Sequence, residues 1–182
     1  MKKITTLLLL LVCIAFSCER DDICPEDTPT TPRFIVEFRD ISSTDNIKSV
    51  PGLRIEDFDD ATRTLDEDHS ITSEDQMLLP LNTNANETKY RVYRDYEIDD
   101  NDTPDDESDD FQTGNPDVIT ITYETSEIYV SRACGYKTIF ENVEIIITQE
   151  IPITDNWMLF AVPENDNQSV INEDEIHYTI RH

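Results

Sequence analysis

"DVITITYETSEIYVSRACGYKTIFENVEIIITQE", residues 117–150, holds three runs rich in Val, Ile, Thr and Tyr, at 117–124, 126–134 and 142–150. β-branched and aromatic side chains at this density fit a pleated, half-buried surface better than a helix. Glu124-Thr125-Ser126 and Cys134-Gly135 read as the turns between the runs, so the stretch predicts consecutive short strands. The same texture continues in "WMLFAV" (157–162) and "EIHYTIRH" (175–182), with turns at Asp155-Asn156 and Pro163-Glu164-Asn165. No window keeps an apolar i, i+3, i+4 stripe over three turns.

Toward the N-terminus, "RFIVEFRD" (33–40) sets Phe34, Val36 and Phe38 on one face and Arg33, Ile35, Glu37 and Arg39 on the other. That two-residue alternation is the mark of a half-buried strand. "SVPGLRIEDF" (49–58) reads as a Pro51-Gly52 turn and a short strand around Leu53 to Ile55. "DQMLLPLN" (75–82) is apolar but broken by Pro80, which suits a sheet edge. In "TKYRVYRDYEI" (88–98), alternation puts Tyr90 and Tyr96 opposite Tyr93, with cross-strand packing as the tyrosines' role. About 7–8 short strands at this spacing predict an all-β fold, an antiparallel β-sandwich of immunoglobulin-like type, in one domain over residues 33–182. Trp157 is expected in its core.

Residues 95–110, "DYEIDDNDTPDDESDD", carry ten acids and no base. Mutual repulsion predicts a solvated acidic loop between two strands, reaching to about residue 117. A calcium site is the competing reading. Asp95, Glu97, Asp99 and Asn101 alternate as in the first half of a calcium loop, and Asp105 and Asp106, with Asp109 and Asp110, supply further oxygens. Against it, the sixth place of that loop is Asp100, where an EF-hand needs glycine.

Elsewhere the signals for chemistry are sparse. His69 lies in an acidic loop, His177 is expected to face solvent, and His182 is the last residue. G-x-S-x-G, H-E-x-x-H and a usable C-x-x-C are all missing, and three glycines rule out most phosphate-binding loops. With 40 acids, carboxylate pairs arise by chance and point to no hydrolase. The chain reads as non-catalytic. Residues 1–17 hold two lysines and no acids, so the remaining 165 residues keep 40 acids against 12 bases, a net charge near −28. Nucleic acid is thereby excluded as a partner, and an anionic membrane surface would repel the protein unless divalent cations bridge the two.

The chain opens "MKKITTLLLLLVCIAFSC", two lysines followed by an apolar run from Ile4 to Phe16. That run falls short of the roughly 20 residues of a membrane span and has the proportions of a secretory signal. Ala15-Phe16-Ser17-Cys18 resembles the lipobox of bacterial lipoproteins, which implies cleavage after residue 17 and acylation of Cys18. Ala15 stands where the commonest form has Leu. An ordinary signal peptide cut after Ala15 or Ser17, leaving Cys18 free, is the alternative. Two or three acyl chains give stable anchoring where one is marginal.

Cys13 leaves with the signal, so Cys24 and Cys134 remain for a disulfide in an oxidising compartment. Two free thiols or a metal pair are the competing readings, and no histidine lies near either cysteine in sequence. Paired, Cys24 would leave about six residues between lipid and fold, a reach of roughly 20 Å over the tether within residues 18–32.

"DICPEDTPTTPRFIVEFRD", "IYVSRACGYKTIFENV" and the last strand "EIHYTIRH" together resemble an uncharacterised family of small outer-membrane lipoproteins from Bacteroidota, across most of the mature chain. The resemblance implies that Cys24, Cys134 and Gly135 occupy the family's cysteine-bearing motifs, and it implies no activity. The acidic segment is longer than such a family leads one to expect. Glu19, Asp21 and Asp22 after the anchor resemble the signal that exports such lipoproteins to the cell surface. The expectation is therefore an outer-membrane, lipid-anchored, non-catalytic envelope protein with a protein partner. The alternative is a module binding calcium or glycan through its acidic loop.

Overall fold

The strand-forming runs deliver ten strands. The computed structural model describes residues 23–25, 28, 30–65, 72–150 and 156–182. The first five strands are β1 (Phe34–Asp40), β2 (Ser43–Ile47), β3 (Val50–Asp57), β4 (Thr72–Glu74) and β5 (Gln76–Leu79). The other five are β6 (Glu87–Asp99), β7 (Phe111–Ser131), β8 (Gly135–Gln149), β9 (Phe160–Pro163) and β10 (Tyr178–Arg181). Among the described residues the remaining regular element is one 3-10 turn at Glu107–Asp109.

Two five-stranded sheets pack as a sandwich. One has the order β4-β3-β6-β7-β8 and is antiparallel throughout. In the other, β10 lies between β1 and β9, while β5 and β2 follow one another along the far edge of β1. The β1–β10 pair is parallel, so the sandwich is mixed rather than purely antiparallel. A parallel pair needs a long crossover, and here the whole second sheet lies between the two strands in the chain.

The half-buried reading of β1 is corrected, since Ile35 and Glu37 on its second face are only 7% and 5% exposed, while on the first face Phe34, Val36 and Phe38 are fully buried. They join Tyr90 and Val92 of β6, Ile119, Ile121 and Tyr123 of β7, and Trp157 in one core cluster. Each such side chain removed from water is worth about 1.5–3 kcal/mol. Asp117 is also fully buried and faces this core, where its Oδ2 accepts the N–H groups of Trp157 and Met158, both at 2.9 Å. Burial pushes its carboxyl above the ordinary range, and the two N–H donors oppose the shift.

Several expectations about individual residues need correction. The turn at Glu124-Thr125-Ser126 does not exist. These residues pair with Glu141, Phe140 and Ile139 inside β7, one continuous strand of 21 residues. None of the three is a residue that favours positive φ, and β-branched Thr125 suits the ladder. The acidic segment is also shorter as a loop than expected. Its flanks are strand, leaving only 100–110 between β6 and β7. Finally, His177 does not face solvent. It is 1% exposed, beside a strand whose two faces are both covered. Its Nδ1 accepts the N–H of Ile35 at 2.9 Å, which leaves Nε2 to donate to the Asn172 carbonyl at 3.0 Å.

Pro51-Gly52 likewise does not turn the chain but lies within β3. Its glycine answers a bulge in β6 between Arg94 and Glu97, where Asp95 takes φ 54. A Cβ on Gly52 (φ +55) would sit 2.7 Å from the Tyr96 nitrogen, and one on Gly114 of β7 (φ +118) 3.0 Å from its Cα. Both neighbouring strands thus carry glycine where the bulge presses on them. The extra residue also carries Tyr96 to the face of Tyr93, with ring centroids 5.3 Å apart, so simple alternation misplaces it. The Arg54 guanidinium lies 4.3 Å over the Tyr96 ring.

Two predictions follow from these contacts. Gly52→Ala and Gly114→Ala should each lower stability by about 2 kcal/mol or more in urea unfolding, through strain and steric conflict together. Gly135→Ala, whose Cβ meets nothing within 4 Å, should cost less than either. Burial holds His177 and His182 below the ordinary imidazole pKa. The unfolded chain therefore takes up protons first as pH falls, so this stability is intact above about pH 6.5 and is lost below it. Thermal melts should show Tm falling between pH 7.5 and 5.5, and His177→Gln should flatten that slope.

Candidate functional site

The six residues proposed to hold calcium are not gathered together. Asp95 sits in the β6 bulge with its carboxylate 3.1 Å from the Arg94 guanidinium. Glu97 and Asp99 are strand residues opposite Thr113 and Phe111. Asp99 accepts the Asn101 N–H at 2.9 Å, and Asn101 donates its side-chain amide to Asp109 at 3.0 Å. Asp106 caps the 3-10 turn by accepting the Ser108 N–H at 3.1 Å and its hydroxyl at 2.5 Å, and Asp105 lies exposed beside it. Hydrogen bonds hold the Asp106 and Asp109 carboxyls below their ordinary range. The Asp110 carboxyl is raised, by desolvation first and then by neighbouring acids. These oxygens are engaged in making the turn. Among the described residues no three of His, Cys, Asp or Glu converge as metal ligands.

A cleft of about 530 Å³ opens at the other end of β6. Its walls come from the end of β3 (Asp57), the turn after it (Arg63–Leu65), the β5–β6 connection (Pro80–Thr83) and the start of β6 (Glu87–Tyr90). Asx-type bonds shape the connection, for Asn82 Oδ1 accepts the Asn84 N–H at 2.9 Å. The Tyr123 hydroxyl donates to the Asn82 carbonyl at 2.9 Å and lies 2.5 Å from the Thr88 hydroxyl. Tyr90 donates its hydroxyl to the Pro80 carbonyl, and burial raises its pKa well above the ordinary phenol value. Asp57 faces Arg63 at 3.3 Å and Glu87 faces Lys89 at 2.9 Å. The lining offers hydrogen-bonding groups together with the paired charges of Asp57 and Arg63 and of Glu87 and Lys89. No motif marks these residues in the sequence, because they come from three separate segments. The run "NTNANET" was the one available sign of a shaped loop.

Cys24 and Cys134 are joined by a disulfide, their Cα atoms 4.9 Å apart. Cys134 lies in the turn between β7 and β8, at the tip of the hairpin. The chain from Cys24 runs back along β8, where the Thr31 hydroxyl accepts the Thr138 N–H at 3.1 Å. At the tip, Tyr129 and Tyr136 pair across the strands with ring centroids 5.4 Å apart and remain 57% and 65% exposed. Ile128, which precedes Tyr129, and Ile23, which precedes Cys24, are also exposed. Two tyrosines flanking Cys134-Gly135 were visible in the sequence, but their pairing required knowing that a hairpin turns there. Cys18 and His69 lie outside the described residues.

Residues 60–181 match a family of unknown function (DUF6452). No curated protein and no solved structure matches the chain.

The disulfide closes a loop of 110 residues. On the chain-entropy account its removal should lower stability by about 4–5 kcal/mol. Chemical unfolding of the paired Cys24→Ser, Cys134→Ser variant checks this. Resistance of native Cys24 to alkylation without reductant checks the bond itself.

Proposed function

The chain belongs to DUF6452, a family of unknown function; from its own sequence and geometry we propose an exported, lipid-anchored, non-catalytic component of the cell envelope that works by binding a protein partner. The observation that carries this reading is the Cys24–Cys134 bond. A disulfide belongs to an oxidising compartment, and this one lies six residues from Cys18, the cysteine placed for acylation at the end of an apolar signal. Bacterial outer-membrane location follows from the lipobox reading.

Two further features favour binding over catalysis. Both described histidines are committed to structural bonds, His177 as above and His182 through Nε2 to the Lys48 carbonyl at 3.1 Å. The outermost strand of the mixed sheet, β9, carries exposed Leu159 and Phe160 at its start. Apolar side chains on an outer strand suit cover by a partner.

Metabolic labelling with an alkyne fatty acid in the native cell tests the anchor. Wild-type protein should be labelled and should sediment with outer membranes, and Cys18→Ser should lose both properties. Crosslinking in the same cells should recover a stoichiometric envelope protein; a solitary band would overturn the partner.

A further inference from the structure

Resting on the lipid anchor proposed above, we propose that the tip of the β7–β8 hairpin is a membrane contact, with Tyr129 and Tyr136 lying at the headgroup level of the phospholipid bilayer that holds Cys18. Proximity is the first argument. Cys24 is bonded to the tip turn, and the six residues back to Cys18 reach at most roughly 20 Å. Acyl chains on Cys18 therefore bring the tip, more than any other part of the domain, down to the bilayer surface.

The second argument is the chemistry of the tip. Tyr129 and Tyr136 present apolar rings with polar ends, the side-chain type that concentrates where hydrocarbon meets water. Ile128, next to Tyr129, and Ile23, next to Cys24 and 81% exposed, add apolar surface on the hairpin and on the segment bonded to it.

Charge supplies the third. Residues 125–140 hold one acid, Glu127, against two bases, Arg132 and Lys137, in a chain of net charge −26. Residues 99–110, at the opposite end of β7, hold eight acids and no base. A strand of 21 residues at about 3.3 Å each separates the two poles by roughly 65 Å. A bilayer bearing phosphate groups repels the acidic pole and tolerates the tip, so electrostatics and tether favour one orientation.

Quenching by brominated lipid tests the contact. Full-length lipidated protein carrying Tyr129→Trp is reconstituted in phosphatidylethanolamine–phosphatidylglycerol vesicles with dibrominated acyl chains, and flotation is scored beside fluorescence. The native Trp157 is buried in the core and supplies a constant background. The variant is expected to float and to lose the emission of its added tryptophan relative to unbrominated vesicles. Phe111→Trp at the acidic pole should float and keep its emission, and Tyr136→Trp should repeat the Tyr129→Trp result. Flotation without quenching at either tip position overturns the membrane contact and leaves the anchor standing. Failure to float overturns the anchor and the contact with it. Equal quenching at position 111 overturns the orientation.

Discussion

One strand is longer than the sandwich it belongs to, and most of the architecture is a response to that. Residues 117–123 of β7 carry the core side chains Ile119, Ile121 and Tyr123 and the buried carboxylate Asp117. The rest must leave the sandwich at either end, and each exit is marked by a register shift. On the β6 side the ladder slips between Arg94 and Glu97, and on the β8 side it slips opposite Thr122 and Glu124. Bulges bend and twist a strand locally, which lets a ladder run past the core without dragging core residues out of register. Gly52 and Gly114 follow from the first slip. Asn142 at φ 52, donating its amide to Glu124 at 3.2 Å, follows from the second.

The charge distribution follows the same axis. So many acids would oppose a compact state if they faced one another across the core. They are spread over exposed strand faces and gathered in the turn at 100–110, where side-chain and backbone donors hold the carboxylates. Of the buried exceptions, Glu37 and Glu56 face arginines, and Asp117 accepts two backbone N–H groups. Glu56 is fully buried with Oε1 2.7 Å from the Arg54 guanidinium, while its Oε2 is 3.8 Å from Arg91. Arg91 is itself held by Glu150 at 2.6 Å. Surface pairs contribute little each, so this cluster is better read as tolerating a buried charge than as a source of stability.

How far this was legible in the sequence can be traced residue by residue. Period-two alternation located β1 and β6, because Phe34, Val36 and Phe38, and Tyr90 and Val92, line the core at every second residue, and β-branched and aromatic texture located β10. Cysteine arithmetic found the disulfide, because the count left one pair. Alternation failed at Tyr96, where a bulge inserts a residue that no pattern announces, and at His177, which lies beside a strand covered on both faces. Turn chemistry failed at Pro51-Gly52 and at 124–126 for opposite reasons. The first pair has turn residues used instead to admit a neighbouring strand, and the second has polar residues that tolerate strand as readily as turn. The cleft was invisible because its parts meet only after the sheets form.

The disulfide is placed where it can govern geometry more than packing. Cys24 is exposed and Cys134 only partly covered, and neither belongs to the core cluster. Its contribution on the chain-entropy account comes from the unfolded ensemble, so nothing in the core's packing depends on the two sulfurs. Cutting it would leave a folded domain first held at Thr31, whose hydroxyl accepts the Thr138 N–H at 3.1 Å. The segment back to Cys18 would then grow from six residues to about thirteen, a reach of roughly 45 Å. With the lipid anchor proposed above, the bond would set the reach of the tether and fasten it to the β7–β8 tip, where acids are few. A protein whose partner stands at a fixed height above a membrane has a use for such a bond, whereas one working free in solution would gain only the entropy term.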